Sequence, residues 1–172
     1  MSLKEYQKKR KCEKTSEPEG RAHLRSGSKG SLVFVVQKHD ASHLHYDFRL
    51  EMDGVLKSWA VPKGISMDPE QKHLAVMVED HPLEYLDFEG IIPKGQYGAG
   101  KVEIWDKGNY ATHAGVDRKE NEKILLDGLK KGHITFILNG KKLKGEFALV
   151  RLKRSKEKNA WLLIKAHDKF SK

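Results

Sequence analysis

The sequence predicts a mainly β protein, a small antiparallel barrel or sandwich with one short helix and an extended basic N-terminal arm. Three observations carry this. Seven or eight short apolar or alternating segments follow one another from residue 31 onward, two of the connections are Asp-Gly or Asn-Gly, and a single stretch has helical periodicity. Strands of this length joined by tight turns argue against a parallel α/β sheet, which needs a helix between strands. The 172 residues are enough for one such domain with a proper core.

The elements follow in order. Residues 1–30 are polar and end in RSGSKGS, and they read as an arm leading into a body at 31–172. LVFVVQKH is short, apolar and rich in β-branched residues, and HLHYDFRLEM alternates strictly, so its apolar and polar residues take opposite faces of a strand. Asp53-Gly54 then turns into VLKSWAVP, the strongest hairpin signal in the chain. HLAVMVED (73–80) is another strand, with Leu74, Val76 and Val78 on one face, and KVEIWDKGNY (101–110) follows the glycine-rich GQYGAG. The helix is RKENEKILLDGLKKG, with Asp117 as N-cap, Gly132 as stop and Ile124, Leu125 and Leu129 on one side. Asn139-Gly140 divides HITFILNGKKLKGEFALVRL into a second hairpin, and AWLLIKA (160–166) closes the series.

Composition narrows the partners. Net charge is +9, and residues 1–30 hold nine Lys/Arg against four Glu, with a further basic run at RLKRSKEK (151–158), which points to a polyanion. Cys12 is the only cysteine, so disulfides within the chain and cysteine-cluster zinc sites are excluded, and a metal here must use His and carboxylate. No run approaches the length of a membrane span and the N-terminus lacks a signal-peptide core, so a cytoplasmic location without membrane is expected. Walker and Rossmann glycine patterns are missing.

Chemistry concentrates in HDASHLHYDFRLE (39–51). On one face of its strand stand His45, Asp47 and Arg49, close enough along the backbone for two side chains to meet on one ion. Two imidazoles and a carboxylate suit a divalent transition metal with open positions; His39, His43 and His45 compete for the imidazole places, and spacing does not separate them. Arg49 next to such a metal matches phosphate, where charge builds on non-bridging oxygens. In VEDHPLEY, Glu79, Asp80 and His81 end a strand that Pro82 terminates, and His81 is placed to act as a general acid or phosphate ligand. Lys63 and Lys94 each follow a proline in a loop and are candidate phosphate donors.

Together FVVQKHDASHLHYDFRLEMDGVLKSWAVPKG and HLAVMVEDHPLEYLDFEGIIPKGQYGAGKVEIWDKGNY resemble the 3′-phosphoesterase module of bacterial DNA ligase D, in a stand-alone form. The match runs from about Tyr6 to the C-terminus and is densest between 34 and 110. The resemblance implies a β-barrel enzyme of non-homologous end joining that prefers Mn²⁺, with Co²⁺ or Zn²⁺ also accommodated. It implies action on primer-template 3′ ends: a diesterase step removes a terminal ribonucleotide, and a monoesterase step removes a 3′-phosphate and leaves a 3′-OH. A separate ligase, a polymerase and Ku are the implied partners, in a cytoplasmic, nucleoid-associated setting. Residue by residue it implies metal ligands His39, His45 and Asp47, phosphate contact by Arg49, and active-site roles for His81, Tyr85, Glu79 and Lys63, with His43 a bystander. His73 stands where the family often has Arg, and Lys11 and Cys12 replace the usual Asp and Phe of an N-terminal segment in which Tyr6, Arg10, Thr15, Glu17 and Pro18 remain.

Three rivals are weighed against it. A non-haem iron oxygenase shares the His-x-Asp motif but needs a distal His with a basic residue after it, and neither His113 nor His133 has that setting. The 2H phosphoesterases need two His-x-Thr-like motifs, and only HIT at 133–135 is present. A non-catalytic DNA-end binder would have no need of the intact His39, His45, Asp47, Arg49 and His81 set.

Overall fold

The computed structural model describes residues 2–10, 17–18 and 30–172. In chain order these form α1 (Leu3–Lys9), β1 (Leu32–Asp40), β2 (Leu44–Met52), β3 (Val55–Val61), β4 (Lys72–His81), a 3₁₀ turn (Leu83–Asp87), β5 (Gly90–Ile92), β6 (Gly100–Ala111), α2 (Arg118–Lys131), β7 (His133–Asn139), β8 (Lys144–Arg151) and β9 (Ala160–Lys165). Neighbouring strands run in the order β1-β2-β3-β4-β9-β8-β7-β6, and β6 pairs back onto β1, which closes an eight-stranded antiparallel barrel; β5 pairs with the first residues of β6. Closure decides between the two architectures that the strand pattern allowed, and it removes the sheet edges.

Local chemistry sets the connections. Asp53 and Gly54 both take positive φ (55° and 76°), the backbone of a type I′ turn, which matches the twist of β2 and β3. Between β7 and β8, the Asp106 carboxylate accepts the backbone N–H groups of Lys141, Lys142 and Leu143 and holds the turn after Asn139. α2 starts where Asp117 accepts the N–H of Glu120 and stops at left-handed Gly132. It buries Leu125 and packs Leu126 and Leu129 on the barrel, whereas Ile124, expected on that side, faces solvent.

The barrel interior is apolar and drawn from every long strand: Phe34, Phe48, Trp59, Ala75, Phe136, Phe147 and Trp161 are among its members. Alternation then forces the neighbours of these residues outward. On β1 to β4 the outward side bears a second, smaller cluster of Tyr6, Val35, Leu56, Tyr85, Leu86, Phe88, Ile92 and Val102, roofed by α1, the 3₁₀ turn and β5. The arm is therefore not extended over its first residues: α1 is a helix that buries Tyr6 against β4. Seven residues with one apolar anchor show no periodicity, which is why only one helix was expected. The replacements at Lys11 and Cys12, and Thr15, lie outside the described residues. Among those residues, no helix is long and apolar enough to cross a membrane.

Candidate metal and phosphate site

The polar side of β2 points away from the barrel interior into a crevice of about 320 Å³. β1 and β2 pair with His39 directly opposite His45 and Gln37 opposite Asp47, so a three-residue turn brings the two histidines side by side. Their ring centroids lie 4.7 Å apart, and one ligand atom each from His39, His45 and Asp47 falls within 4.8 Å of the others.

Backbone carbonyls settle which nitrogens face inward. His39 Nε2 lies 2.6 Å from the carbonyl of Gly98, which can only accept, so this nitrogen carries the proton and Nδ1 keeps a lone pair. His45 Nδ1 donates in the same way to the carbonyl of His43 at 3.0 Å, leaving Nε2 free to coordinate. Those two lone pairs each sit 3.3 Å from an oxygen of Asp47. With Arg49 Nη2 the one cationic donor beside them, 3.5 Å from Asp47, three converging acceptors favour a further cation among them. The residues fit a divalent metal, with the Gly98 and His43 carbonyls orienting the imidazoles. Burial works to raise the Asp47 carboxyl, but the charge of Arg49 opposes it and the carboxyl is held well below the usual carboxylate range.

Arg49 lies beside the cluster and is 2% exposed. Its Nε donates to Gln37 Oε1 at 2.7 Å, its Nη2 is 3.5 Å from Asp47, and its guanidinium sits 4.7 Å from the centre of the Tyr85 ring. Gln37 in turn donates to the carbonyls of Tyr85 and Phe88, which fixes the direction of its oxygen. Arg49 Nη1 is buried and makes no hydrogen bond among the described residues. A buried cationic N–H without an acceptor costs free energy until a ligand oxygen reaches it.

His81 sits across the crevice between the edges of Tyr6 and Tyr85. Its Nδ1 donates to the carbonyl of Glu79, and its Nε2 lies 3.3 Å from Arg10, which can only donate. Burial first, then the charges of Arg49 and Arg10, push its pKa well below the ordinary imidazole value, so the ring is neutral at pH 7. Arg10 is held by Glu17 at 2.8 Å and Glu79 at 2.9 Å, and Lys9 reaches the other oxygen of Glu79 at 3.1 Å. Tyr85 donates to Glu17, and burial raises its phenol well above 10.

The structure thus gathers His39, His45, Asp47, Arg49, His81 and Tyr85 on the lining of one crevice, with Glu79 behind it on Arg10. It does not bring Lys63 there: that side chain is exposed after β3 and lines a separate groove with His73. Lys94 is exposed in the loop before β6, and His43 contributes only its carbonyl. His113 pairs with Glu146, and His133 opens β7 on the outside of the barrel, so neither lines the crevice. The sequence motifs do not assign individual roles to Arg10, Glu17 and Gln37, and they mark Gly98 only as a tight turn or close backbone approach. Their positions come from tertiary pairing, and the remaining signal was their place inside the resembling segments.

Residues 37–151 match the family described as the DNA Ligase D 3′-phosphoesterase domain. The chain is 53% identical over 166 residues to the multifunctional non-homologous end joining protein LigD of Pseudomonas aeruginosa, which covers 96% of this chain and 19% of that protein. It is 44% identical over 149 residues to the multifunctional non-homologous end joining DNA repair protein LigD of Mycobacterium tuberculosis H37Rv (87% of this chain, 18% of that protein). With the LigD of Mycolicibacterium smegmatis it shares 42% over 166 residues (96% and 21%). The chain spans about a fifth of the length of these curated relatives. On the extent and identity of these matches, this chain belongs to the DNA ligase D 3′-phosphoesterase domain family.

Proposed function

We propose that this chain is a metal-dependent phosphoesterase that trims DNA 3′ ends in non-homologous end joining. It removes a terminal ribonucleotide or a 3′-phosphate and leaves a 3′-OH. The observation that carries this reading is the pairing of a three-ligand cluster with Arg49, 2% exposed at the crevice wall, whose buried Nη1 has no acceptor among the described residues. Family membership and the net charge of +9 support it.

His39, His45 and Asp47 would hold the metal, for which Mn²⁺ is proposed ahead of Co²⁺ or Zn²⁺; once bound it supplies a Lewis-acid charge for a phosphate oxygen. Arg49 donates to the phosphate from the side, already aimed by Gln37 and Tyr85, and stabilises the charge that develops on its oxygens. For neutral His81, its Nδ1 proton committed to Glu79, the proposed role is proton acceptor at Nε2, which exchanges its hydrogen bond from Arg10 for the transferred proton; the motif alone pointed to a general acid or phosphate ligand. Glu79 and Glu17 fix Arg10 against His81, and Tyr85 holds Glu17, so these residues position the pair rather than meet substrate. Lys63 keeps a role only through the strand of DNA that leads into the site. The N-terminal segment 1–30 and the surface lysines supply salt-sensitive affinity for the duplex. Function alongside a ligase, a polymerase and Ku, in the nucleoid, belongs to the same proposal.

The test is a primer-template ending in a 3′-phosphate or one ribonucleotide, incubated with and without Mn²⁺. Trimming to a 3′-OH that requires the metal and disappears in Asp47→Ala is expected. A wild-type protein that trims neither end overturns the reading.

A further inference from the structure

The strand register carries the crevice further than the metal cluster. Asp47 pairs with Ala60 across β2–β3, and Ala60 with Val76 across β3–β4, so these residues share the outward face. One pleat along, His45 leads past Pro62 to Leu74, whose partner on β9 is Leu162. Leu74 and Leu162 point outward, because Ala75, Trp161 and Leu163 are in the barrel core. The result is an outward shelf that runs from the metal ligands across three strands. At strand spacings of about 4.8 Å, its far end lies roughly 10–15 Å from Asp47.

At that far end the shelf deepens into a groove of about 670 Å³. Pro62, Leu74 and Leu162 make an apolar floor; Lys63 and Lys72 stand exposed at its rim, and its lining among the described residues includes no carboxylate. Leu74 is 37% exposed, although Leu on a strand ordinarily finds cover. An apolar floor with cations along the rim matches a strand of nucleic acid, whose bases and sugars pack flat while its phosphates meet the ammonium groups.

We propose that this groove binds the DNA strand carrying the reacting 3′ end, a few nucleotides in from that end. The inference rests on the phosphoesterase reading, and it adds a second site. The crevice holds the terminal phosphate, and the groove between β3, β4 and β9 holds the strand behind it. Lys63, remote from the metal cluster, then acts on the substrate through that strand.

The test compares Lys72→Glu and Leu74→Asp with wild type on two substrates in Mn²⁺. One is a 3′-phosphorylated dinucleotide, too short to reach the groove, and the other is a primer-template. For each variant KM on the primer-template is expected to rise about tenfold, with dinucleotide turnover unchanged; the unchanged turnover also reports a folded site. Anisotropy with a primer-template ending in 3′-OH, which needs no turnover, should show weaker binding and, for Lys72→Glu, a salt slope smaller by about one. Equal losses on both substrates, or unchanged binding of the long one, overturn the proposal and leave the shelf to a protein partner. Because the anisotropy does not depend on catalysis, it decides the groove even if wild type trims neither end.

Discussion

His39 and His45 are cross-strand partners in the β1–β2 hairpin, with ring centroids 4.7 Å apart. They stand six positions apart in sequence, yet the register seats them on the same outward face, with Asp47 two residues along β2 facing both. Everything else at the site is arranged around this pair.

Removing the charge that the pair faces should abolish metal binding before it harms the fold. Asp47→Asn retains the shape of the side chain but loses the anionic ligand, and calorimetric titration with Mn²⁺ should show affinity lowered by at least about 100-fold, a loss of ~2.7 kcal/mol or more. Retained affinity would place the metal elsewhere.

The Gly98 carbonyl is a second lever on the same ion. Gly98 has φ +75°, and a Cβ there would lie 3.4 Å from His39 Cε1. Gly98→Val therefore strains the loop and turns the carbonyl that fixes the His39 tautomer. Metal affinity is expected to fall about 10- to 100-fold, the usual cost of an outer-shell contact. The melting temperature should change little, since the loop lies outside the barrel core; a large drop would show that the loop is structural instead.

Arg49 should not tolerate lysine. Arg49→Lys keeps the charge but loses the fork that reaches Gln37, Asp47 and the crevice at once. A fall in kcat/KM of about 10²- to 10³-fold is expected, with Mn²⁺ affinity nearly unchanged. Gln37→Met, which leaves Arg49 present but unaimed, should lose less and lose it in kcat; a loss confined to KM would count against a positioning role.

Much of this was legible in the sequence because its physics is local. Strict alternation from Leu44 to Leu50 put Asp47 and Arg49 on one face, and Asp53-Gly54 and Asn139-Gly140 marked their turns. What was not legible is long-range. Nothing in LHYD says that His39 rather than His43 meets His45; the register decides that, and the resemblance anticipated it. Closure of β6 onto β1 and the packing of α1 on β4 depend on contacts dozens of residues apart, so neither leaves a periodic trace. Lys63 looked like its fellow candidates by motif, yet two residues beyond the end of β3 carry it out of the crevice.

The docking of α1 should depend on pH through Glu79. Burial works to raise this carboxyl, but Arg10 and Lys9 prevail and lower its pKa. A carboxylate with a lower pKa folded than unfolded contributes stability above the ordinary glutamate value of about 4.3, and that contribution is lost as pH falls through the folded value. Hydrogen exchange at the Tyr6 amide should accordingly report docked α1 at neutral pH and its release below pH ~4. Glu79→Gln should flatten this dependence and cost stability near the lower end of ~3–5 kcal/mol, because Arg10 keeps Glu17.

The rate profile should carry the signature of His81. In the proposed mechanism its neutral ring is the active form, and its pKa is depressed by burial and by the charges of Arg49 and Arg10, so neutrality persists as pH falls. At saturating Mn²⁺ the rate is therefore expected to stay flat through the ordinary imidazole range near 6.5 and to decline only below it. Arg10→Met removes one of the two cations without removing the ring. Its acid limb should move upward, toward but not reaching 6.5, since burial and Arg49 still disfavour the charged form. His81→Gln should abolish the limb along with most of the activity. A limb that stays in place when Arg10 is removed would show that another group titrates, and the proton-acceptor role would then have to leave His81.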